Sequence, residues 1–223
     1  MDTLIQHEIF EIEVMDNMKS AKLLDHLVFG GGTMLRLCHE LNRYSNGLDF
    51  WFIKGVPQNT YFEKVRQAFE KDYEITDAQI KHYTLLFELR STNYSRRLKI
   101  EIRRRIKDCD YQEKIAFSPF STRQVLLKCH TLEQTMKNKI AAFIDRGEIR
   151  DCFDVEFLLR RGIELPAQSG EQLIEFQKRL AGLGDKDFKV KLGSILDSDI
   201  RNYYIANRFS FLEEKLVSIF LKP

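Results

Sequence analysis

The amino-acid sequence predicts an α+β fold, in which a mixed β-sheet with flanking helices comes first and a C-terminal helical bundle follows. In the first half, short apolar segments typical of strands alternate with amphipathic helical segments. From about residue 131 onward, the apolar residues recur with a helical period. We therefore expect two domains, formed by residues 1–130 and 131–223.

A strand, a glycine turn and a helix are predicted in succession early in the chain. Leu27 to Phe29 form a short apolar run that stops at three glycines, Gly30 to Gly32. From Thr33 to Leu41 the apolar residues have helical spacing. Backbone amides can approach a phosphate closely where side chains are absent, and a helix N-terminus favours an anion. The turn is therefore a candidate phosphate-binding site, and a plain strand-to-helix turn is the alternative.

Three further segments have the character of strands. Leu48 to Ile53 is rich in aromatic and branched residues, which predicts a buried strand, and Tyr83 to Leu89 predicts a second. Between Arg97 and Arg103 apolar and charged residues alternate, as in a strand with one buried face. Thr60 and Glu63 match a capping box, which predicts the start of a helix.

The second half has helical signals throughout. A capping box at Thr131 precedes an amphipathic segment, and Arg150 to Arg161 continue as a second helix. A further capping box at Ser169 opens a helical pattern that reaches Leu221.

The composition of the chain limits the classes of protein to which it can belong. Of the 223 residues 43% are hydrophobic, which is enough for a substantial core. No segment of the sequence approaches the roughly 20 consecutive apolar residues that a membrane-spanning helix needs. The N-terminal segment lacks the pattern of a signal peptide. We therefore expect a cytoplasmic protein with no membrane contact. The four cysteines are widely scattered, which argues against a disulfide framework or a zinc site.

Two carboxylates are candidate metal ligands. Asp49 stands in an apolar strand, where a charge is costly unless it is paired, for example with Arg43, or binds a cation. Glu101 stands in the alternating strand and either faces solvent or lies beside Asp49. In the second case both carboxylates could hold one Mg²⁺, with phosphates completing its shell.

A basic run extends from Arg96 to Lys107 and includes Arg103, Arg104 and Arg105. Such a cluster can bind the backbone of RNA or DNA, or it can be a solvated face.

Charged residues also lie on the two helices predicted after residue 131. Lys139 is on the first helix, and Asp151 and Asp154 are three residues apart on the next. They belong either to a binding site or to a buried salt-bridge network between the helices.

In their order, these segments resemble the AbiEii family of nucleotidyltransferase toxins, within the minimal nucleotidyltransferase (polymerase beta-like) superfamily. Phe29 to Leu35 is similar to the family's Gly-Gly-Thr-x-Leu turn. Arg43 to Phe50 is similar to its Arg-x-Ser-x-Asp-Leu-Asp-Phe segment. Lys139 to Phe143 and Arg150 to Asp154 are similar to its Lys-Leu-x-Ala and Arg-Asp-x-Tyr-Asp stretches. The resemblance covers most of the chain and implies a nucleotidyltransferase-type sheet.

The resemblance also implies a role for each matching position. The residues expected to hold a nucleoside triphosphate are Gly31, Gly32, Thr33, Arg43 and Ser45. The residues expected to act in catalysis are Asp49 and Glu101, which would bind Mg²⁺, Lys139, which would offset phosphate charge, and its motif partner Asp151.

The implied reaction is attack of a hydroxyl on the α-phosphorus of the nucleotide, with release of pyrophosphate. In the family the expected acceptor is RNA, notably the 3′ end of tRNA, and a cognate antitoxin is the usual partner. We expect Arg103, Arg104 and Arg105 to contact that RNA.

One position departs from the family pattern. The first residue of the expected Asp-x-Asp pair is Gly47, which supplies no ligand. The protein is then a natural pseudoenzyme, an enzyme that uses Asp49 and Glu101 with weaker metal affinity, or a form in which an aspartate was deliberately replaced. The leading hypothesis is a toxin that transfers a nucleotide to RNA. The alternatives are a catalytically impaired nucleotide- or RNA-binding regulator and an interaction module whose glycine turn is only a turn.

Overall fold

The computed structural model describes residues 2–166 and 170–220. Its residues group into two compact units, with the division between Thr131 and Leu132. The capping box predicted at Ser169 and the predicted end of the helical pattern at Leu221 lie outside the described residues. No helix in the described part of the chain is long and apolar enough to cross a membrane.

The first unit contains three α-helices and seven strands among its described residues. The helices are α1 (Asp2–Ser20), α2 (Gly31–His39) and α3 (Gln58–Phe69). The strands are β1 (Leu27–Gly30), β2 (Leu48–Phe52), β3 (Glu74–Ile80), β4 (Thr84–Arg90), β5 (Leu98–Arg103), β6 (Tyr111–Phe117) and β7 (Gln124–His130).

The strands form one mixed sheet in the order β3-β4-β5-β2-β1-β7-β6. β2 runs antiparallel to β1 and parallel to β5, and β1 runs parallel to β7. The remaining neighbours are antiparallel. This mixed sheet with flanking helices, followed by further helices, confirms the predicted fold class.

The two faces of the central strands differ in burial. On β2, Leu48, Phe50 and Phe52 are buried, whereas Asp49 and Trp51 are half-buried. Helix α3 packs on the apolar face, where the ring of Phe62 lies 4.7 Å from that of Phe87. The prediction of a buried strand at Leu48 to Ile53 therefore holds for one face only, and the other face is available for a site.

Some sequence predictions of local structure are wrong or incomplete. Helix α3 begins at Gln58, two residues before Thr60, and its N-cap is Pro57 with no side-chain cap. The capping-box prediction there fails because the helix begins before Thr60, which therefore lies inside the first turn and not at the N-cap. The elements α1, β3, β6 and β7 had no sequence prediction.

The second unit is helical in its described residues. Its helices are α4 (Leu132–Arg146), α5 (Ile149–Arg160), α6 (Gly170–Ala181), α7 (Ser198–Asn207) and α8 (Ser210–Phe220), with a π-helical turn at Asp187–Leu192. Helix α4 begins directly after Thr131. Aromatic contacts such as Phe143 with Phe176, 4.8 Å between ring centroids, join its helices.

Candidate active site

Three residues on neighbouring strands form a row across the centre of the sheet. Gly30 of β1 pairs with Asp49 of β2, and Asp49 pairs with Glu101 of β5. Register partners direct their side chains to the same face, and neighbouring strands lie about 4.8 Å apart. The structure therefore brings together the two carboxylates that the sequence suggests as metal ligands. The Oε2 atom of Glu101 also lies 3.1 Å from the Nζ atom of Lys99, its neighbour on the same face of β5.

The glycine turn passes directly beside the Asp49 carboxylate. Gly31 has a φ of +76°, and a Cβ added there would lie 2.5 Å from Oδ2 of Asp49. At Gly32, an added Cβ would collide with the guanidinium of Arg43 and lie 3.0 Å from Oγ of Ser45. The turn therefore requires glycine for close approach, and it gathers the residues predicted to bind a triphosphate around the N-terminus of α2.

Thr33 connects the glycine turn to the segment before β2. Its hydroxyl donates a hydrogen bond of 2.5 Å to the carbonyl of Gly47. The backbone N–H of Gly47 in turn donates to Oε1 of Glu11 on α1, at 3.0 Å. The turn, the approach to β2 and α1 are thus held together by one polar cluster.

Glu11 is a residue of this cluster that the sequence did not suggest. Its side chain is only 1% exposed, and its Oε1 atom lies 3.3 Å from the Thr33 hydroxyl and 3.7 Å from Nε2 of His7. Burial raises the pKa of Glu11 well above its usual range, against the opposing effect of the Gly47 and Thr33 hydrogen bonds. Burial therefore shifts this carboxyl toward its protonated, neutral form.

Gly47 has a backbone conformation that favours glycine. Its φ is +152°, and an added Cβ would lie 3.0 Å from the carbonyl oxygen of Lys99. An aspartate at this position would have to shift both its own backbone and the neighbouring strand. The backbone conformation and the limited space at position 47 therefore both favour glycine.

The comparison with protein families gives a clear match. A family model described as the nucleotidyl transferase AbiEii toxin of type IV toxin–antitoxin systems matches residues 14–202. The chain belongs to the AbiEii family. The predicted family and the predicted enzyme class, nucleotidyltransferase, are thereby confirmed.

Three solved structures are similar to this AbiEii protein over nearly the whole chain, two of them with TM-scores above 0.5. A candidate nucleotidyltransferase from Helicobacter pylori is 22% identical, with 95% of this chain and 97% of that chain covered and a TM-score of 0.59. JHP933 from H. pylori is 21% identical, with 98% and 95% covered and a TM-score of 0.58. MenT4, a nucleotidyltransferase toxin from Mycobacterium tuberculosis, is 16% identical, with 96% and 97% covered and a TM-score of 0.45. A search of curated proteins found no match.

The donor set of the AbiEii site fits a magnesium ion. Mg²⁺ is commonly held by one or two carboxylates together with substrate phosphates, and Asp49 and Glu101 are such a pair beside the glycine turn. Within residues 2–166 and 170–220 there is no cluster of three His, Cys, Asp or Glu side chains that could hold a metal ion. The phosphates of a bound nucleotide would therefore supply the remaining ligands.

The basic run divides into exposed and anchored arginines. Arg103 and Arg105 are exposed. The guanidinium of Arg104 instead donates to Oε1 of Gln58 at 2.6 Å and to the carbonyl of Lys81 at 2.7 Å. Arg104 therefore has a structural role in joining β5 to α3, whatever else it contacts.

Lys139 and Asp151 lie in the second unit, on α4 and α5. The Nζ atom of Lys139 is 3.1 Å from Oδ1 of Asp151 and 2.7 Å from Oδ2 of Asp154. Arg146 adds a second ion pair to Asp151 at 2.7 Å. Lys139 and both aspartates are buried, so the salt-bridge network considered from the sequence is present. A catalytic role for Lys139 and Asp151 remains a prediction.

Proposed function

We propose that this AbiEii nucleotidyltransferase transfers a nucleotide from a nucleoside triphosphate to the 3′ end of an RNA, with tRNA as the natural acceptor. We further propose that it requires Mg²⁺, acts in the cytoplasm and is controlled by a cognate antitoxin. The observation that carries the proposal is the row of Gly30, Asp49 and Glu101 beside the glycine turn. Nucleotidyl transfer requires that a protein position its substrates and stabilise the developing negative charge. A carboxylate pair that can hold a metal ion, next to a helix N-terminus, is suited to both tasks.

Binding of the triphosphate is assigned to the glycine turn and its neighbours. The first backbone N–H groups of α2 have no partner within the helix, and the helix dipole favours an anion there. No acidic residue lies in the first turn of α2 to oppose that anion. Arg43 and Ser45 lie against Gly32, where they can contact the same phosphates.

The carboxylates Asp49 and Glu101 would hold Mg²⁺ when the nucleotide is bound. With the ion bound there, the site would gain stabilisation of the negative charge that develops during the displacement. The Nζ atom of Lys99, 3.1 Å from Oε2 of Glu101, restrains that carboxylate on the face of the sheet that also carries Asp49.

A second candidate function is a binding protein that transfers nothing. The observation that favours it is the glycine-adapted backbone at Gly47, where the family pattern has an aspartate. Such a protein would bind nucleotide or RNA through the same turn and act as a regulator.

Transfer of a labelled nucleotide distinguishes these two functions. The purified protein is incubated with Mg²⁺, total tRNA and each of the four ribonucleoside triphosphates in turn, labelled at the α-phosphate. We expect at least one nucleotide to label the tRNA, and we expect no labelling of tRNA whose 3′-terminal ribose has been oxidised with periodate. Absence of labelling with all four nucleotides, by a protein that still binds one of them, supports the binding protein instead.

A further inference from the structure

Trp51 lies two residues after Asp49 on β2, on the face of the sheet that carries Asp49 and Glu101. We call this face the active face. Residues two apart on a strand point to the same side, about 7 Å from each other. The Trp51 ring leans over β1, so that a Cβ added at Gly30 would lie 2.6 Å from its Cζ3 atom. Its centroid is 4.8 Å from the ring of His130. The ring therefore borders Asp49 on the β1 side, whereas Glu101 lies on the β5 side.

Trp51 is only half-buried, in contrast to the residues on the other face of its strand. Phe50 and Phe52 are each 1% exposed and belong to the core. A large aromatic ring that packs only for stability is expected on that apolar face. Trp51 instead is half-buried, beside the carboxylate pair.

Arg103 lies directly opposite Trp51 on β5. The two are register partners, so their side chains share the active face. Arg103 is exposed, and within the described residues it has no ion pair with an acidic side chain. Lys99, the other cation on this face of β5, is already paired with Glu101. Arg103 is therefore available to a phosphate group or to an aromatic base.

We propose that Trp51 is a stacking surface for a nucleobase in the active site, with Arg103 contacting a phosphate of the same ligand. Sequence-tolerant binding of nucleic acids commonly combines an aromatic ring under the base with a cation at the backbone. The inference rests on the proposed function, because it assigns a base-binding position to the site of nucleotide transfer. The nucleobase belongs either to the incoming nucleotide or to the 3′-terminal residue of the RNA.

The fluorescence of Trp51 tests the inference directly, because the chain contains a single tryptophan. The wild-type protein is titrated in Mg²⁺ with four probes: a ribonucleoside triphosphate, inorganic tripolyphosphate, an RNA minihelix with a single-stranded 3′ end, and the same RNA with an abasic 3′-terminal residue. N-acetyltryptophanamide under the same additions corrects for absorption by the bases. Binding itself is followed separately, by equilibrium dialysis or by anisotropy of a 5′ label.

We expect quenching that depends on a base. Quenching by the nucleotide and not by tripolyphosphate assigns the surface to the incoming base, and quenching by the intact RNA and not by the abasic RNA assigns it to the acceptor. Either result supports the inference. Bound nucleotide and bound RNA that both leave the Trp51 emission unchanged, or quenching that is equal without the base, would overturn it.

Substitutions give a second, independent measurement. We expect Trp51→Leu to raise KM for the base-bearing substrate by about tenfold or more, the size of one base–aromatic stack, with KM for the other substrate unchanged. Trp51→Phe keeps an aromatic ring and should stay within about threefold of the wild type. Equal effects of the two variants on both substrates would indicate a packing role only. If Trp51→Leu does not fold, the wild-type titration still decides.

The two proposals fail in different ways. Label transfer to tRNA together with base-independent Trp51 emission removes the stacking surface and keeps the nucleotidyl transfer. Base-dependent quenching without any label transfer keeps the stacking surface and removes the transferase function.

Discussion

Asp49 and Glu101 are register partners on two parallel strands, with their side chains on the same face of the sheet. Two segments more than 50 residues apart in the chain are thereby joined into one candidate site. The glycine turn reaches the same point because Gly30 pairs with Asp49 from the other side. Two carboxylates are therefore brought together without an aspartate at position 47.

Replacement of Gly47 by any other residue is expected to lower the stability of the fold. Because Gly47 has a φ of +152° and little space beside the Lys99 carbonyl, Gly47→Ala and Gly47→Asp should each lower the free energy of unfolding by about 1–3 kcal/mol. Urea unfolding of the three proteins measures this cost. Two variants as stable as the wild type would show that the backbone at 47 relaxes freely.

The same pair of variants isolates the effect of a carboxylate at this position. Alanine and aspartate share the backbone strain, so a difference between them in Mg²⁺-dependent nucleotide binding comes from the added carboxylate. We expect Gly47→Asp to bind Mg²⁺-nucleotide more tightly than Gly47→Ala. Isothermal titration at several Mg²⁺ concentrations is the measurement, and equal affinities would exclude a ligand at position 47.

The burial of Glu11 predicts how stability depends on pH. Below the ordinary carboxyl pKa of 4.5, both the folded and the unfolded chain hold the proton, so Glu11 contributes no pH dependence. As the pH rises above that value, the unfolded chain releases the proton while the folded chain retains it because its pKa is raised. The contribution of Glu11 to stability therefore falls with increasing pH, up to the folded-state pKa.

Glu11→Gln tests this linkage while keeping an acceptor for the Gly47 N–H. We expect the variant to gain stability relative to the wild type as the pH is raised from about 4.5 to 8. Urea unfolding across that range gives the comparison. A difference between the two proteins that stays constant with pH would show that the carboxyl ionises normally when folded.

Substitutions of the arginines in the basic run should have different effects, because these arginines have different structural roles. Arg103→Gln and Arg105→Gln remove exposed charges, so each should weaken RNA binding and reduce the salt slope by about one unit. Arg104→Gln should mainly lower the melting temperature, because it removes the hydrogen bonds to Gln58 and to the Lys81 carbonyl. Binding of labelled tRNA at several salt concentrations, with thermal melts, checks both. Identical salt slopes for all the variants would show that the run is a solvated face.

Loss of Lys139 should destabilise the second unit. Lys139→Met removes the lysine from both Asp151 and Asp154, and breaking a buried pair typically costs about 3–5 kcal/mol. Lys178→Met, at an exposed position of α6 in the same unit, is the matched control and should have little effect. Denaturant unfolding provides the comparison. A stable Lys139→Met protein that has lost nucleotidyl transfer would instead favour a catalytic role for Lys139.

The strands at the site could be predicted from the sequence because their patterns are local. The apolar run before Gly30 and the alternation around Glu101 are properties of neighbouring residues. The pairing of Asp49 with Glu101 depends on the strand order, which single-strand patterns do not specify. Glu11 could not be found because a buried carboxyl on α1 is recognisable only once Gly47 and Thr33 lie beside it. Similarly, the half-exposure of Trp51 follows from which face of β2 the helices cover.

The most direct test of the central claim compares three carboxylates on one sheet. Asp49→Asn and Glu101→Gln change the row, and Glu113→Gln changes an exposed carboxylate on β6 as the matched control. The measured quantity is the initial rate at which an α-labelled nucleotide is transferred to tRNA in Mg²⁺, with folding checked by circular dichroism. We expect a loss of about 100-fold or more in the first two variants, since each weakens the charge stabilisation of the transfer, and a wild-type rate in the third. Wild-type rates in Asp49→Asn or Glu101→Gln would contradict the assignment of the active site to this row.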